Sequence, residues 1–350
     1  MIPRPALIPL LLLPLGAWQN PTAPIAAEID RIERESASGT PSEPSPALKA
    51  AREALRSGRT YLALERLAQA VDQLRGARSV AEKSDAVKSG MPAFEAELSK
   101  ASASIASSSR DASAVNQARA PAALRALSET ALARTSPLLA GGRGFATALA
   151  PKDGLYYLGE ARGQAEFAAF CRSLALPRKG RPWAARSLLP ELLALQAKTD
   201  AAFVPPRSIE QHPRFIALNS TLKLARELDS SRSYCGALYQ YLEAVRHFAM
   251  LDAPPVDEAA RPKLQAAVEA ARAKTAASSS DDSIPLLLLE RIAALLAPAE
   301  GTPGADDWRN AQVTLAKVLP AYSAALKPAS SVLPAAGKTI DLTLVRWPYT

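Results

Sequence analysis

Glu160 and Glu166 are the closest this chain comes to a carboxylate pair for acid–base work. They lie in LYYLGEARGQAEFAAFCRSLAL, Leu155 to Leu176, the stretch densest in aromatics. Tyr156, Gly159, Gly163, Phe167, Phe170 and Leu174 recur there at steps of three and four, so as a helix they share one face. A glycine inside a helix costs about 1 kcal/mol relative to alanine. Two on one face imply that something comes close. A crossing helix is the commoner reason for small residues. The other reason is a ligand, in a slot over Gly159 and Gly163 flanked by the two carboxylates. Arg162 stands four residues before Glu166, which favours a solvated ion pair over a catalytic acid.

The remaining chemistry is sparse. His212 and His247 are the only histidines. Neither HExxH nor a paired CxxC accompanies them, so no metal site and no cofactor are expected. No G-x-S-x-G elbow occurs. Cys171 and Cys235 are the only cysteines, and an even count in an oxidising compartment favours a disulfide between them. The competing readings are two separately buried thiols, or Cys171 as a nucleophile with His247 as its base. Arg178, Lys179 and Arg181 beside Trp183 form the one local basic–aromatic cluster. It reads as a solvated loop with its tryptophan pinned to the core, and otherwise as a grip on an anionic envelope polymer.

The elements that must position these residues are helical. Alanine and leucine with scattered arginine and glutamate favour helix over sheet. The 29 prolines then belong in connections and first turns, which breaks the chain into many helices of moderate length. The net charge of +8 is spread over 42 basic and 34 acidic residues, with no basic run, so nucleic acid is not an expected partner. Met1 to Ala17 has the form of a secretory leader: Arg4, the apolar run Leu7 to Leu15, then Gly16-Ala17, with cleavage near Ala26 or Ala27 as the alternative. That run is too short to span a bilayer, and no later segment is long and apolar enough. The expected location is therefore periplasmic or secreted, with nothing transmembrane once the leader is removed.

Taken in order, residues 1–17 read as the signal peptide and 18–46 as a flexible linker with a short helix. Residues 47–139 read as N-terminal helical hairpins, 140–154 as a glycine-rich linker, 155–326 as a C-terminal helical bundle packed around the Leu155–Leu176 stretch, and 327–350 as an extended tail. In that tail Thr339 to Val345 alternates like a strand. The first hairpin joins Ala47–Arg56 to Thr60–Leu74 through Ser57-Gly58. In Ala54-Leu55, Gly58, Tyr61 and Ala63-Leu64 it resembles the tetratricopeptide unit. The likeness covers these two helices, with a longer glycine-to-tyrosine spacing and no period of about 34 residues after it. An internal echo carries Ala51–Glu53 to Ala225–Glu227, Ser57 to Ser231, Ala63-Leu64 to Ala237-Leu238 and Ala70-Val71 to Ala244-Val245. Duplication of a hairpin explains it, and so does convergence on helical composition.

The fold expected is all-α: antiparallel helical hairpins in an irregular bundle or short solenoid, with a short extended tail. The function expected is an exported scaffold or binding protein for a protein partner or an envelope component, without a catalytic motif. A helical envelope enzyme using Glu160 or Glu166 over the glycine slot is the rival, and a binder of an anionic envelope polymer the third reading.

Overall fold

The computed structural model describes residues 21–37, 45–110, 119–183, 185–298 and 301–327, with the backbone alone at 109 and 110. The leader and the strand-patterned tail lie outside the described residues. Within them every regular element is helical, and the one extended contact is an isolated bridge between Arg181 and Ser280. The all-α expectation holds.

Six helices make the first half: α1 (Ala23–Ala37), α2 (Pro46–Arg56), α3 (Thr60–Lys83), α4 (Met91–Arg110), α5 (Ala122–Ala148) and α6 (Pro151–Ser173). The second half runs α7 (Leu189–Ala202), the single turn α8 (Arg207–Glu210), α9 (His212–Ser230), α10 (Tyr234–Met250), α11 (Arg261–Ala276) and α12 (Ser283–Leu296). It closes on α13 (Ala305–Val313), which a π turn over Thr314–Val318 joins to α14 (Leu319–Ala325). The second half repeats the plan of the first. A leading helix packs on a hairpin in each, α1 on α2–α3 and α7 on α9–α10. A fourth helix then packs on the last two, α4 on α5 and α6, and α11 on α12 and α13. Proline is the second residue of α1, α4, α7 and α11, where a missing N–H is harmless.

The echo seen between the hairpins extends to their backbones. Each has a three-residue connection. Arg59 N–H donates to Ala54 O at 2.8 Å, and Ser233 N–H to Leu228 O at 2.9 Å. Gly58 has φ +72° and Arg232, at the same place, φ +62°. The two halves also cap each other. Leu62 N–H at the start of α3 donates to Glu290 of α12 (3.0 Å), and Gly236 N–H at the start of α10 donates to Glu129 of α5 (2.7 Å). Glu65 and Tyr239, again matched in the two hairpins, hydrogen-bond each other at 2.8 Å. A residue touching its own counterpart is what an isologous, two-fold arrangement produces.

Several sequence expectations are corrected. Residues 140–154 are not a linker: α5 runs to Ala148 and α6 starts at Pro151. The glycines there serve a helix crossing, because a Cβ on Gly154 would fall 2.3 Å from Gly142 O. Nor does the second half wrap the Leu155–Leu176 stretch. Helix α6 packs chiefly on α3, α4 and α5 of its own half. The main core is shared, with buried apolar residues from Ile25 to Ala325, so no boundary at 140–154 divides it. The helix expected inside the 18–46 linker is α1, a core element: Ile25, Ile29 and Ile32 are fully buried. Residues 38–44 lie outside the description.

Candidate functional site

The glycine face of α6 is occupied by α3. A Cβ on Gly159 would lie 2.1 Å from Arg75 O and 2.7 Å from the Gly76 Cα, and one on Gly163 would lie 3.1 Å from the Asp72 Cα. Tyr156 lays its ring over Gly76. This is helix packing, and it removes the slot that the enzymatic reading required. Glu166 does not pair with Arg162. Arg75 grips it with two hydrogen bonds (2.6 and 2.8 Å) and Arg31 with a third (2.6 Å), while Glu35 takes Arg75 and Arg78. Burial alone would raise the Glu166 carboxyl, but the two guanidinium groups hold it below its ordinary range. Glu160 is half-buried and shifted up by desolvation, with Arg134 opposing.

The basic–aromatic loop is pinned rather than presented. Arg181 N–H donates to Ser279 O (2.9 Å), Asp281 N–H donates back to Arg181 O (2.8 Å), and Trp183 packs against the main core. Gly180, at φ +77°, sits against Ser279 with no room for a Cβ. Lys179 lines a cavity of about 300 Å³ beside Tyr61 and Glu290. Of Arg178, Lys179 and Arg181, only Lys179 lines that cavity.

Cys171 and Cys235 are free, buried thiols, which corrects the expected disulfide. Helix α5 stands between their helices: Ser128 donates to Ala168 O of α6, and the next residue, Glu129, accepts from α10. Burial pushes the Cys235 thiol up to about 12 and Cys171 higher still, so neither is a thiolate near neutrality. His247 adjoins Arg246, not Cys171, and burial lowers it to about 4.

Where the two halves meet, Arg291 bridges Glu65 (2.6 Å) and Glu243 (2.9 Å), and Arg246 also binds Glu243 (2.9 Å). Burial works to raise Glu243, yet these cations bring it down to about 2. Asp72, on the same face of α3, has no such partner. Burial lifts it to about 7 despite a hydrogen bond from Gln164. This seam is internally satisfied apart from Asp72 Oδ1 and Thr130 Oγ1.

The better candidate lies on another face of α5. A cavity of about 520 Å³ opens there, lined by Arg125, Arg172 and Arg232 and by the hydroxyls of Ser128, Ser231 and Ser233. Its floor is apolar: Leu124, Leu132, Cys171 and Leu228. The one carboxylate in the lining is Glu129. That group caps α10 and lies 3.6 Å from Arg125, and burial raises its pKa. Arg172 also donates to Ser108 O (2.8 Å). Among the described lining residues, three guanidinium groups stand against one carboxylate, which is itself engaged. The cavity suits an anionic group on a partly apolar body. Sequence reasoning missed Arg125, Arg172 and Arg232, since they come from α5, α6 and the α9–α10 turn and share no spacing.

No protein family, curated protein or solved structure matches the chain.

Proposed function

We propose that this is an exported, non-catalytic helical binding module, and that the arginine-lined cavity receives an anionic group of an envelope component. The observation that carries the reading is Arg232. The first hairpin turns through Gly58 at φ +72°, whereas the second uses an arginine at φ +62°. A residue with a Cβ pays about 1 kcal/mol or more to sit in that region. The strained arginine lines the cavity, so its side chain is what that cost sustains.

The test uses a substitution that the backbone favours. Arg232→Gly removes the guanidinium and relieves the turn. Inorganic phosphate is expected to raise the melting temperature of the wild type beyond the effect of chloride at equal ionic strength, and the variant to lose that excess. An identical response in both proteins would sink the reading.

Export rests on the leader pattern of Arg4, Leu7 to Leu15 and Gly16-Ala17. Cleavage at Ala26 or Ala27 would cut α1 and discard Ile25, which is fully buried. The processed chain is therefore expected to begin at Trp18. Mass spectrometry of chain recovered from outside the cytoplasm checks this, and a full-length mass there would argue against it.

A further inference from the structure

A third cavity, of about 730 Å³, runs between α7, α10 and the closing helices α13–α14. Leu195, Tyr241, Val245, Phe248 and Val313 make its walls, with alanines where the helices come nearest. It stands at the junction that corresponds to α1, α3 and α6 in the first half. There Ile25, Ile29 and Ile32 are fully buried, and α3 and α6 meet at their glycines. Two acidic and two basic side chains reach the rim of the open junction. Each acid has an arginine partner, Glu191 with Arg186 through Oε1 and Asp252 with Arg207 at 2.8 Å, while Glu191 Oε2 has no hydrogen-bond partner among the described residues. Lys198 on α7 and Lys317 in the π turn between α13 and α14 form no ion pair among the described residues, and both are exposed.

We infer that this groove binds a long-chain carboxylate, with the alkyl chain between α7, α10 and α13–α14 and the carboxylate held by Lys198 and Lys317. An apolar trough with two lysines at its rim that form no ion pair among the described residues is complementary to an anionic amphiphile. Its volume lies within the range of roughly 300–1,000 Å³ that small-molecule sites occupy. A partner helix would also cover apolar walls, but it gives the two lysines nothing specific to hold. The site is separate from the arginine-lined cavity, which uses α5, α6 and the α9–α10 turn.

Dodecanoate and the uncharged dodecyl maltoside, both below their micelle concentrations, are titrated into the full chain by calorimetry. Dodecanoate is expected to bind once per chain. Ala316→Trp, at an exposed groove position, is expected to abolish binding of both probes. Lys198→Glu combined with Lys317→Glu is expected to weaken dodecanoate by about tenfold or more and to leave the maltoside unchanged. Circular dichroism melts confirm that the variants fold. Absence of saturable binding, binding indifferent to Ala316→Trp, or equal loss of both probes in the lysine variant overturns the inference. Binding only after deletion of residues 328–350 also overturns it, because the groove would then belong to the chain's own tail. Arg232→Gly should leave dodecanoate affinity intact; if that variant abolishes it, the ligand sits in the arginine-lined cavity and the inference fails while the proposed function stands.

Discussion

The two halves follow one plan, but they close it differently. In the first, α3 and α6 meet backbone to backbone at Gly76, Gly159 and Gly163, and Arg31, Arg75 and Arg78 tie Glu35 and Glu166 across the edge. In the second, α10 and α13–α14 carry side chains at their junction, bend through a π turn, and leave a groove of about 730 Å³. Glycines let helix backbones touch, and with alanines and larger residues in their place the same topology keeps a space. At this junction the first half is closed by backbone contact, and the second leaves room for a ligand.

The largest expected effect breaks that contrast at its tightest point. Gly159→Ala puts a methyl 2.1 Å from Arg75 O, a main-chain atom that cannot swing away. Overpacking in a close-packed core costs about 1–3 kcal/mol, and a backbone clash belongs at or above the upper end. Ala316→Trp, a much larger change at the open junction, is expected to stay within about 0.5 kcal/mol of wild type. Paired urea melts decide it, and comparable losses at the two sites would show that the junctions are not differently packed.

A second contrast lies in how buried acids are matched. Glu243 is flanked by Arg291 and Arg246 and stays near 2, so its contribution persists above the ordinary carboxylate range and disappears only as pH falls towards 2. Asp72, under Gly163 and without a cation in contact, is lifted to about 7 from 3.8. The folded chain holds that proton more tightly than the unfolded one. Its contribution is therefore complete below about pH 4 and lost as pH rises through 7. Asp72→Asn is accordingly expected to stabilise the protein by on the order of 2 kcal/mol at pH 8, and to do little at pH 4. Melting temperatures of both proteins across that range provide the check. A gain at pH 4 as large as at pH 8 would detach the effect from ionisation.

Much of the local structure was legible because it is written in short spacings. The α2–α3 hairpin falls where Ser57-Gly58 breaks the apolar stripe. The glycines of α6 announced close approach, and a helix supplied it. What stayed hidden is long-range. Glu290, Glu129, Asp281 and Asp229 hold N–H groups at or before the first turns of α3, α10, α5 and α7, each from a distant segment. A carboxylate in the middle of an apolar run such as Pro285–Leu296 looks like an ordinary polar-face residue until the helix it caps is known. The Gly141-Gly142 segment misled for the same reason. Glycine signals a turn or a backbone contact, and only the partner, Gly154, tells which.

The smallest effect is also the most discriminating, because it changes one atom's environment in each of two matched turns. Gly58 and Arg232 share a backbone conformation and the same hydrogen bonds to the helices before them. Nothing lies within 4 Å of a Cβ built on Gly58, so sterics outside the turn do not require glycine there. Only the left-handed φ does. Gly58→Ala is then expected to cost about 1 kcal/mol, and Arg232→Gly to gain about 0.5–1 kcal/mol, from the same source with opposite sign. Equilibrium denaturation of the two single variants and the double variant should find the effects additive, since the turns lie in separate halves. If Arg232→Gly destabilised the chain instead, the guanidinium would be holding the fold together. The strain at that turn would then have a structural cause, and the argument from Arg232 to an anionic ligand would lose its footing.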